Sequence, residues 1–499
     1  MKIMELGIVD KSALAAVRSP DRLYIGGEWV TPSSDAMFDV IDSATEELFF
    51  RVAEARSRDM DRAVGAARTA FDEGPWPRLS HAERAGYMRA LADGLRARTE
   101  DMAQIWPRQT GLPYASAKAG LATVPGVFDF YAGLAETYPW AEPMPPAAGG
   151  FGLLVREPVG VVAGIIPWNG PASLIAYKIA PALIAGCTVI VKASPEAPGE
   201  AYILAEAAEA AGLPAGVVNV VTADREVSEE LVTDPRVDKI GFTGSTAAGR
   251  RIASLMGNRI GRFTLELGGK SAAVILDDYD IEAAAAAIGM AGCRMTGQVC
   301  TLLSRVIVPR SRHAAMTAAL ADVLAQVRVG DPFDDETQMG PLSTARHRDR
   351  VEGWIATGLR EGADLVAGGG RPRHLDRGYF VEPTVLGNVD NSWSVAQNEI
   401  FGPVLAVVPV PDEAAAIRTA NDTIYGLNAS VFTNDPDRFY AVARQLRSGT
   451  VGHNAWRSDF SMAFGGFKQS GIGREGGREG LLPYLETKTL IMEQPPSRY

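Results

Sequence analysis

Short runs of β-branched residues alternate with alanine-rich stretches of helical length from about residue 150 onwards. The apolar runs predict strands, and the stretches between them predict helices at about 173–185 and 199–211. The predicted strands of this first series lie at 160–166, 188–192, 217–221 and 239–244. The alternation is typical of βαβ units on a mostly parallel sheet. Apolar runs without alternating polar positions indicate that both faces of the sheet are covered.

A second alternating series begins near residue 265, with helices predicted at about 281–296 and 312–326. Its predicted strands lie at 271–276, 304–309, 404–410, 429–433 and 450–454. Two such series predict two parallel-sheet α/β domains with a cleft between them. A last strand pattern, at 487–493, has no partner nearby in sequence. Because exposed strand edges are unfavourable, pairing across a subunit interface is one solution for it.

The composition is that of a globular protein. The 499 residues predict two to four domains, and the 46% hydrophobic and 22% charged residues exclude disordered and disulfide-scaffold classes. The net charge of −11 argues against nucleic acid or an anionic membrane as a partner. The first twenty residues lack the pattern of a secretory signal, and prolines and polar residues interrupt the most apolar stretch, 160–191. We expect a cytoplasmic protein.

The chain contains three cysteines, which fits free thiols in a reducing compartment. With no CxxC pair and five scattered histidines, no metal site is expected. Cys300, in TGQVC between a predicted helix and a predicted strand, is a candidate nucleophile or a buried structural thiol. No histidine lies close to it in sequence, so a Cys–His dyad is not indicated. Cys187 and Cys293 have the surroundings of packing residues.

Two other polar residues stand at the ends of predicted strands. Glu266, in LELGGK, is either an edge glutamate facing solvent or a carboxylate whose burial raises its pKa towards that of a general base. Asn169, in PWNG, is either a turn residue or an amide that donates a hydrogen bond to a developing oxyanion.

A phosphate site is predicted where FTGST, at 242–246, follows a strand and opens a helix, because backbone N–H groups at a helix N-terminus bind phosphate. The GxGxxG fingerprint is absent. Lys192, at a strand end, either holds a ribose or phosphate or is an exposed lysine.

In these motifs the chain resembles the NAD(P)-dependent aldehyde dehydrogenase superfamily, from about Leu23 to Ile491. The matching segments, in the order of the family, are YIGGEWV, PWNGP, APALIAGCTVIVK, GLPAGVVNVV, KIGFTGST, LELGGKS, GQVC, GDP, QMGPL, GYFVEPTV, EIFGPVL, YGLNASVFT and FGGFKQSGIGRE. The resemblance implies two α/β domains and a β oligomerisation arm that adds to a neighbouring subunit in a homodimer or homotetramer. It assigns 1–139 and 160–265 to the cofactor-binding domain, 266–465 to the catalytic domain, and 140–159 and 480–499 to the arm.

The resemblance also implies a mechanism. Cys300 matches the nucleophile that attacks an aldehyde to give a thiohemiacetal, and Asn169 and the Cys300 backbone N–H match the oxyanion hole. Hydride transfer to the nicotinamide leaves a thioester, and Glu266 matches the base that activates water to hydrolyse it. Lys178 and Glu475 match residues of a proton relay.

The resemblance places the cofactor as well. Lys192 matches a contact to the adenosine ribose, Ser245 one to the pyrophosphate, and Glu399 and Phe401 residues that hold the nicotinamide ribose. The other residues assigned to the cofactor cleft are Ile166, Trp168, Ser194, Glu196, Phe242, Gly244 and Leu267. Many NAD-preferring members have a glutamate where this chain has Pro195, with Glu196 one residue further on, which weakens an argument for strict NAD preference. With no arginine nearby in sequence to pair with a 2′-phosphate, NAD is favoured, and NADP is the alternative.

The substrate pocket departs from the family pattern. Gly170 stands where phenylalanine is usual, which should widen the tunnel mouth, and Tyr177 replaces a tryptophan. Val299 and Thr301 flank the nucleophile without an arginine pair that would clamp a carboxylate. Two further residues are assigned to this pocket, Leu174 and Phe464. An apolar aliphatic or aromatic aldehyde is therefore favoured over a semialdehyde acid.

Two other functions stay open beside these. A CoA-acylating relative would pass the acyl group to CoA, and Glu266 counts against it because such relatives typically lack this residue. A non-catalytic structural or binding protein is the other alternative, and the intact Cys300, Glu266 and Asn169 count against that.

Overall fold

The computed structural model describes residues 17–497, so the segment in which no secretory signal is expected lies largely outside the described residues. The strands in this range are numbered in chain order. They are β1 (Leu23–Ile25), β2 (Glu28–Val30), β3 (Met37–Ile41), β4 (Leu48–Ala53), β5 (Ala141–Met144), β6 (Phe151–Pro158), β7 (Val161–Ile165), β8 (Thr188–Ala193), β9 (Val218–Thr222), β10 (Lys239–Thr243), β11 (Arg262–Glu266), β12 (Ala272–Ile275), β13 (Arg305–Pro309), β14 (Asp364–Ala367), β15 (Thr384–Gly387), β16 (Val404–Val410), β17 (Asn428–Phe432), β18 (Thr450–His453), β19 (Gly471–Ile472) and β20 (Leu485–Met492).

The α-helices of the described residues pack around these strands. They are α1 (Ser57–Asp72), α2 (His81–Ala97), α3 (Thr99–Thr110), α4 (Tyr114–Leu121), α5 (Val124–Thr137), α6 (Pro171–Ala185), α7 (Gly199–Ala210), α8 (Arg225–Thr233), α9 (Thr246–Asn258), α10 (Ile281–Cys293), α11 (His313–Ala325), α12 (Ala345–Glu361), α13 (Ser394–Gln397), α14 (Glu413–Asn421) and α15 (Pro436–Ala443). None of the described helices is both long enough and apolar enough to cross a membrane.

The first series of predicted strands is confirmed in an eight-stranded sheet, ordered β19-β11-β10-β7-β8-β9-β1-β2. Strands β7 to β11 run parallel, and β1, β2 and β19 are antiparallel additions. Strands β7, β8 and β9 are buried along their whole length. Burial on both faces explains why these strands are largely apolar.

The second series is confirmed in a seven-stranded sheet, ordered β14-β15-β16-β13-β12-β17-β18 and parallel apart from β14. One boundary was wrong, because the helix expected to reach residue 296 ends at Cys293. Met295, Thr296 and Gly297 then have φ values of 50°, 55° and 72°, so the chain makes a left-handed turn before it reaches Cys300.

The terminal strand β20 pairs along its full length with β6 of the same chain, in a three-stranded sheet ordered β20-β6-β5. The partner of this strand within the chain is therefore β6, and the other edge of β20 has no partner strand among residues 17–497. Residues 466–479, which no predicted domain included, return to the first sheet. There β19 pairs with Leu265 and Glu266 at the end of β11.

Candidate active site

A cavity of about 1290 Å³ opens at the carboxyl ends of β7, β10 and β11. In parallel α/β sheets this edge is where ligands bind. The loops that leave these strands line one wall, and the loops around residues 294–301, 344–350, 399–401 and 456–464 line the other. Cys300, Glu266 and Asn169 all line this one cavity, although they lie far apart in sequence.

Cys300 is half-buried beside the Gly268–Gly269 turn that follows β11. A Cβ atom on Gly269 would lie 2.3 Å from the carbonyl oxygen of Cys300, so the close approach of the two segments requires glycine there. Burial, together with the carboxylates of Glu399 and Glu266, raises the pKa of the Cys300 thiol to about 12. The thiol is therefore protonated at neutral pH, and it must lose this proton when it attacks a carbonyl.

Asn169 is fixed by hydrogen bonds on both its side chain and its backbone. Its side-chain Nδ2 donates to the carbonyl oxygen of Gln298 over 3.0 Å. Its own carbonyl oxygen accepts from Nε1 of Trp106 over 3.1 Å. A side-chain amide has two N–H donors, so one remains for an oxygen in the cavity. The geometry suits the predicted oxyanion donor better than a simple turn residue.

Glu266 is only 3% exposed, so the interpretation as a solvent-facing edge residue is wrong. Within residues 17–497 neither of its carboxylate oxygens has a hydrogen-bond partner, and the backbone of Gly465 lies against one of them. Burial raises the pKa of Glu266 well above its ordinary value, with a further contribution from the nearby Glu475, while Lys178 acts in the opposite direction. The raised pKa makes the ionised carboxylate a stronger base than that of an ordinary glutamate.

Lys178 and Glu475 lie behind Glu266 and do not line the cavity. Nζ of Lys178 contacts Oε1 of Glu475 at 2.8 Å and donates to Oγ1 of Thr243 over 2.5 Å. The side chains of Lys178 and Glu475 are 0% and 1% exposed. The structure thus places the two residues expected in a proton relay as a buried ion pair next to the candidate base.

The predicted cofactor residues divide into two groups. Those that line the cavity are Trp168, Glu196, Gly244, Ser245, Leu267, Glu399 and Phe401. Those that do not line it are Ile166, Lys192, Ser194 and Phe242, which lie in or directly after β7, β8 and β10. Ser245 is the N-cap of α9, so the predicted opening of a helix by FTGST is confirmed. Glu399 accepts a hydrogen bond from the Gly269 N–H, and burial raises its pKa to about 7.

The part of the cavity wall around Glu196 contains charged residues from distant segments of the chain. Lys192 is buried rather than exposed, and burial lowers its pKa to about 8. Glu196 accepts a hydrogen bond from Ser194 over 2.5 Å and pairs with Arg346 at 3.2 Å. Arg225 lines the same cavity. The lack of an arginine close in sequence therefore does not mean that none is close in space, because Arg346 and Arg225 come from distant segments.

All six predicted substrate residues line the cavity: Gly170, Leu174, Tyr177, Val299, Thr301 and Phe464. Phe460 stacks between two of them, with ring centroids 4.5 Å from Tyr177 and 3.8 Å from Phe464. Thr301 is buried, and its carbonyl oxygen accepts from Nε1 of Trp456. This half of the cavity is therefore largely aromatic.

Several lining residues were missed by the sequence argument: Trp106, Val127, Phe130, Tyr131, Arg225, Arg294, Met295, Arg346, His347, Arg350, Trp456, Asp459 and Phe460. Most lie on α3, α5, α8, α12 or the loop after β18, where no local motif marks them. An aromatic residue four positions before the FGGFK segment was the available signal for Phe460. The other two cysteines, Cys187 and Cys293, are buried in the hydrophobic cores, which confirms them as packing residues.

Comparison with known proteins agrees with this arrangement. The model of the aldehyde dehydrogenase family matches residues 29–490. A geranial dehydrogenase of Castellaniella defragrans is 42% identical over 471 residues, 94% of this chain and 98% of that protein. A 3-succinoylsemialdehyde-pyridine dehydrogenase of a Pseudomonas species is 38% identical over 479 residues, 95% of this chain and 99% of that protein.

Solved structures give the same result. An aldehyde dehydrogenase of Mycobacterium tuberculosis in complex with NAD⁺ has a TM-score of 0.92 and 42% identity, covering 96% of this chain and 99% of that one. A betaine aldehyde dehydrogenase of Staphylococcus aureus, also with NAD⁺, has a TM-score of 0.94 and 36% identity, covering 98% and 97%. The predicted fold is confirmed, and this chain belongs to the aldehyde dehydrogenase family.

Proposed function

We propose that this protein oxidises an apolar aldehyde to its carboxylic acid with NAD⁺ as the hydride acceptor. The observation that carries the proposal is the convergence of Cys300, Asn169 and Glu266 on one cavity. A nucleophile, an oxyanion donor and a base around a common space are the groups that acyl transfer through a thioester needs.

Each of the three residues has one part in the proposed reaction. The Cys300 thiol releases its proton to solvent in the cavity as its sulfur attacks the aldehyde carbon, and the second N–H of Asn169 and the Cys300 backbone N–H stabilise the oxygen as it gains negative charge. After oxidation to the thioester, Glu266 removes a proton from the attacking water. The ion pair of Lys178 and Glu475 then offers the proton a path away from Glu266.

The residues present fit a dinucleotide. The N-terminus of α9 presents backbone N–H groups to the cavity beside Gly244 and Ser245, and this is an environment for a pyrophosphate. Glu399 would hold the nicotinamide ribose and Glu196 the adenosine ribose, with the buried Lys192 behind Glu196. Bound NAD⁺ supplies the hydride acceptor.

The aromatic half of the cavity supports an apolar aldehyde. Tyr177, Phe460 and Phe464 stack in a row there, and such rings bury apolar groups well. The relative named as a geranial dehydrogenase agrees with this chemistry.

A semialdehyde acid is the second candidate, and one observation favours it. The exposed Arg294 lines the cavity, with its guanidinium 5.1 Å from the Trp456 ring. We expect Arg294→Met to leave kcat/KM for an apolar aldehyde within about twofold, since surface charges contribute little. A loss confined to carboxylated aldehydes would favour the semialdehyde acid instead.

We propose NAD⁺ over NADP⁺ because Glu196 carries a negative charge where a 2′-phosphate would lie. Arg346 and Arg225 would partly offset this charge, so we expect NADP⁺ to be used weakly. Steady-state kinetics with both cofactors test this. In Arg346→Ala we expect the KM for NADP⁺ to rise more than that for NAD⁺, and equal changes would contradict the assignment.

The decisive experiment compares three single substitutions. Cys300→Ala should lower aldehyde-dependent NADH formation by about 10⁵-fold or more, as expected for loss of a nucleophile. Cys187→Ala and Cys293→Ala are the matched controls and should retain activity. Equal activity in all three variants would refute the nucleophile. Acyl-CoA as the product, with turnover surviving Glu266→Gln, would instead identify a CoA-acylating enzyme.

We also propose the domain division, the arm and the compartment expected from the sequence. The edge strands β5 and β20 of the arm support a homodimer or homotetramer, which light scattering on the purified protein would distinguish. The cytoplasmic location rests on the three free thiols.

A further inference from the structure

Gln298 joins three segments of the protein directly behind the nucleophile. It is 1% exposed, and its Nε2 donates to the carbonyl oxygens of Thr110 and Met295, each over 2.9 Å. Its Oε1 accepts from the backbone N–H of Ser343 over 2.9 Å. Both ends of the side-chain amide are thus used, which fixes the position of the Gln298 backbone.

That backbone carries the acceptor for Asn169. The Gln298 carbonyl oxygen receives one of the two side-chain N–H groups of Asn169 over 3.0 Å. This bond sets the plane of the Asn169 amide and hence the direction of its second N–H. The stabilisation of an oxyanion depends on donors that are already aimed before the charge develops.

Helix α3, which Gln298 contacts at Thr110, also donates a hydrogen bond to Asn169. Trp106 on α3 donates to the Asn169 carbonyl oxygen over 3.1 Å. One turn later, Oγ1 of Thr110 donates to the Trp106 carbonyl oxygen, and the Thr110 carbonyl oxygen is the one that Gln298 contacts. The end of α3, Asn169 and Gln298 therefore form one closed network.

We propose that Gln298 is a positioning residue of the oxyanion hole, acting through Asn169. Its side chain does not line the cavity and would touch no reacting atom. The inference rests on the proposed roles of Asn169 and Cys300. It adds that the glutamine of the GQVC segment controls how well the carbonyl oxygen of the substrate is stabilised.

The test uses Gln298→Met, which keeps the length of the side chain and removes its hydrogen bonds. We expect kcat/KM for the aldehyde to fall about 100-fold, the size expected when a reacting group is displaced by about an ångström. Alkylation of Cys300 by iodoacetamide is a direct displacement that forms no oxyanion, so its rate should stay within about twofold. A merely structural role would slow both reactions.

A double-mutant cycle with Asn169→Ala provides the second readout. Asn169→Ala alone should lower kcat/KM by about 10²- to 10³-fold, the loss expected for one oxyanion donor. If Gln298 acts through Asn169, adding Gln298→Met to that variant should change kcat/KM by no more than about twofold. A further 100-fold loss in the double variant would overturn the proposal.

Gln109→Met is the matched control, because Gln109 is also 1% exposed and bonds through both ends of its amide, to Gly199 and Glu200, away from the cavity. It should leave the ratio of aldehyde turnover to alkylation unchanged. A wild-type protein without aldehyde-dependent NADH formation would refute the proposed function itself. Normal turnover in Gln298→Met would refute only the role of Gln298.

Discussion

The two polar sides of the candidate site are built in opposite ways. On the oxyanion side, Asn169 is held by hydrogen bonds to Gln298 and Trp106. On the base side, the Glu266 carboxylate has no hydrogen-bond partner in residues 17–497, and its neighbours are the charged groups of Glu475 and Lys178. An oxyanion donor is more effective when it is immobile. A carboxylate is a stronger base when no hydrogen bond stabilises its ionised form.

The two sides also differ in what positions them. Side-chain hydrogen bonds fix Asn169, whereas backbone pairing places Glu266: β11 pairs with β19, and Phe464 and Glu475 exchange backbone hydrogen bonds of 2.7 and 2.8 Å. Substitutions on the base side should therefore affect the second half of the reaction, whereas those on the oxyanion side should affect both halves, because attack of water on the thioester also forms an oxyanion.

The largest separation of the two halves is expected from Glu266→Gln. Removing the general base should lower steady-state turnover by about 10²- to 10⁴-fold, while thioester formation continues. Rapid mixing should therefore still show a burst of about one NADH per active site. Loss of the burst together with turnover would show that Glu266 also serves the first half.

The pH dependence of deacylation provides a second test of the role of Glu266. Because burial raises the pKa of Glu266, its ionised fraction declines at a higher pH than that of an ordinary glutamate. Wild-type deacylation should fall as the pH is lowered through this raised pKa. Residual deacylation in Glu266→Gln should lack that decline.

Breaking the buried ion pair is expected to destabilise the protein as well as slow deacylation. Lys178→Met leaves the carboxylate of Glu475 buried without its partner, which should lower the free energy of unfolding by about 3–5 kcal/mol. Urea unfolding measures this change. Adding Glu475→Gln should recover part of the loss, because the double variant buries no unpaired charge. No recovery would mean that the pair matters through packing alone.

A smaller effect is expected on the rate at which the Cys300 thiol is alkylated. The carboxylate of Glu399 helps to raise the pKa of Cys300, and with its own pKa at about 7 it is ionised above that pH. Glu399→Gln should therefore increase the thiolate fraction and speed alkylation by iodoacetamide up to about tenfold at pH 8. Below pH 6 the variant and wild type should converge. A slower reaction in the variant at pH 8 would contradict the electrostatic explanation.

The smallest expected effect is in substrate binding. Phe460→Ala removes the central ring of the stack with Tyr177 and Phe464, and should raise KM for an apolar aldehyde about threefold to tenfold with little change in kcat. Phe467→Ala is the control, because this ring is 41% exposed and does not line the cavity. Equal effects of the two substitutions would argue against an aromatic substrate site.

Much of the fold could be predicted from the sequence, since the buried parallel strands are short, largely apolar runs of four to seven residues. Strand β8, for example, is TVIVKA and is buried throughout. The helix end at Cys293 could not, because Arg294, Met295 and Thr296 are residues that a helix accepts, whereas the left-handed turn there is fixed by tertiary contacts such as the hydrogen bond from Thr296 to the Gly340 carbonyl oxygen.

Some residues of the candidate site could likewise be predicted from the sequence, and others could not. Residues at strand ends, such as Asn169 and Glu266, are marked by a polar side chain after an apolar run. Arg346 and Phe460 reach the cavity from a helix start and a loop whose sequences carry no such contrast. Their proximity to the site depends on how the two sheets face each other, which no local pattern records.

The return of the chain to β11 has a consequence for the order in which the site is completed. Oγ of Ser470 donates to the carbonyl oxygen of Gly268, 202 residues earlier, and this turn leads on to β19 and Glu475. During synthesis, at about 5–20 residues per second, the segment carrying Cys300 leaves the ribosome many seconds before these partners exist. Cys300 is therefore present in the nascent chain well before the residues that surround Glu266 are complete. The site can form only after residues 466–479 have been synthesised and have paired with β11.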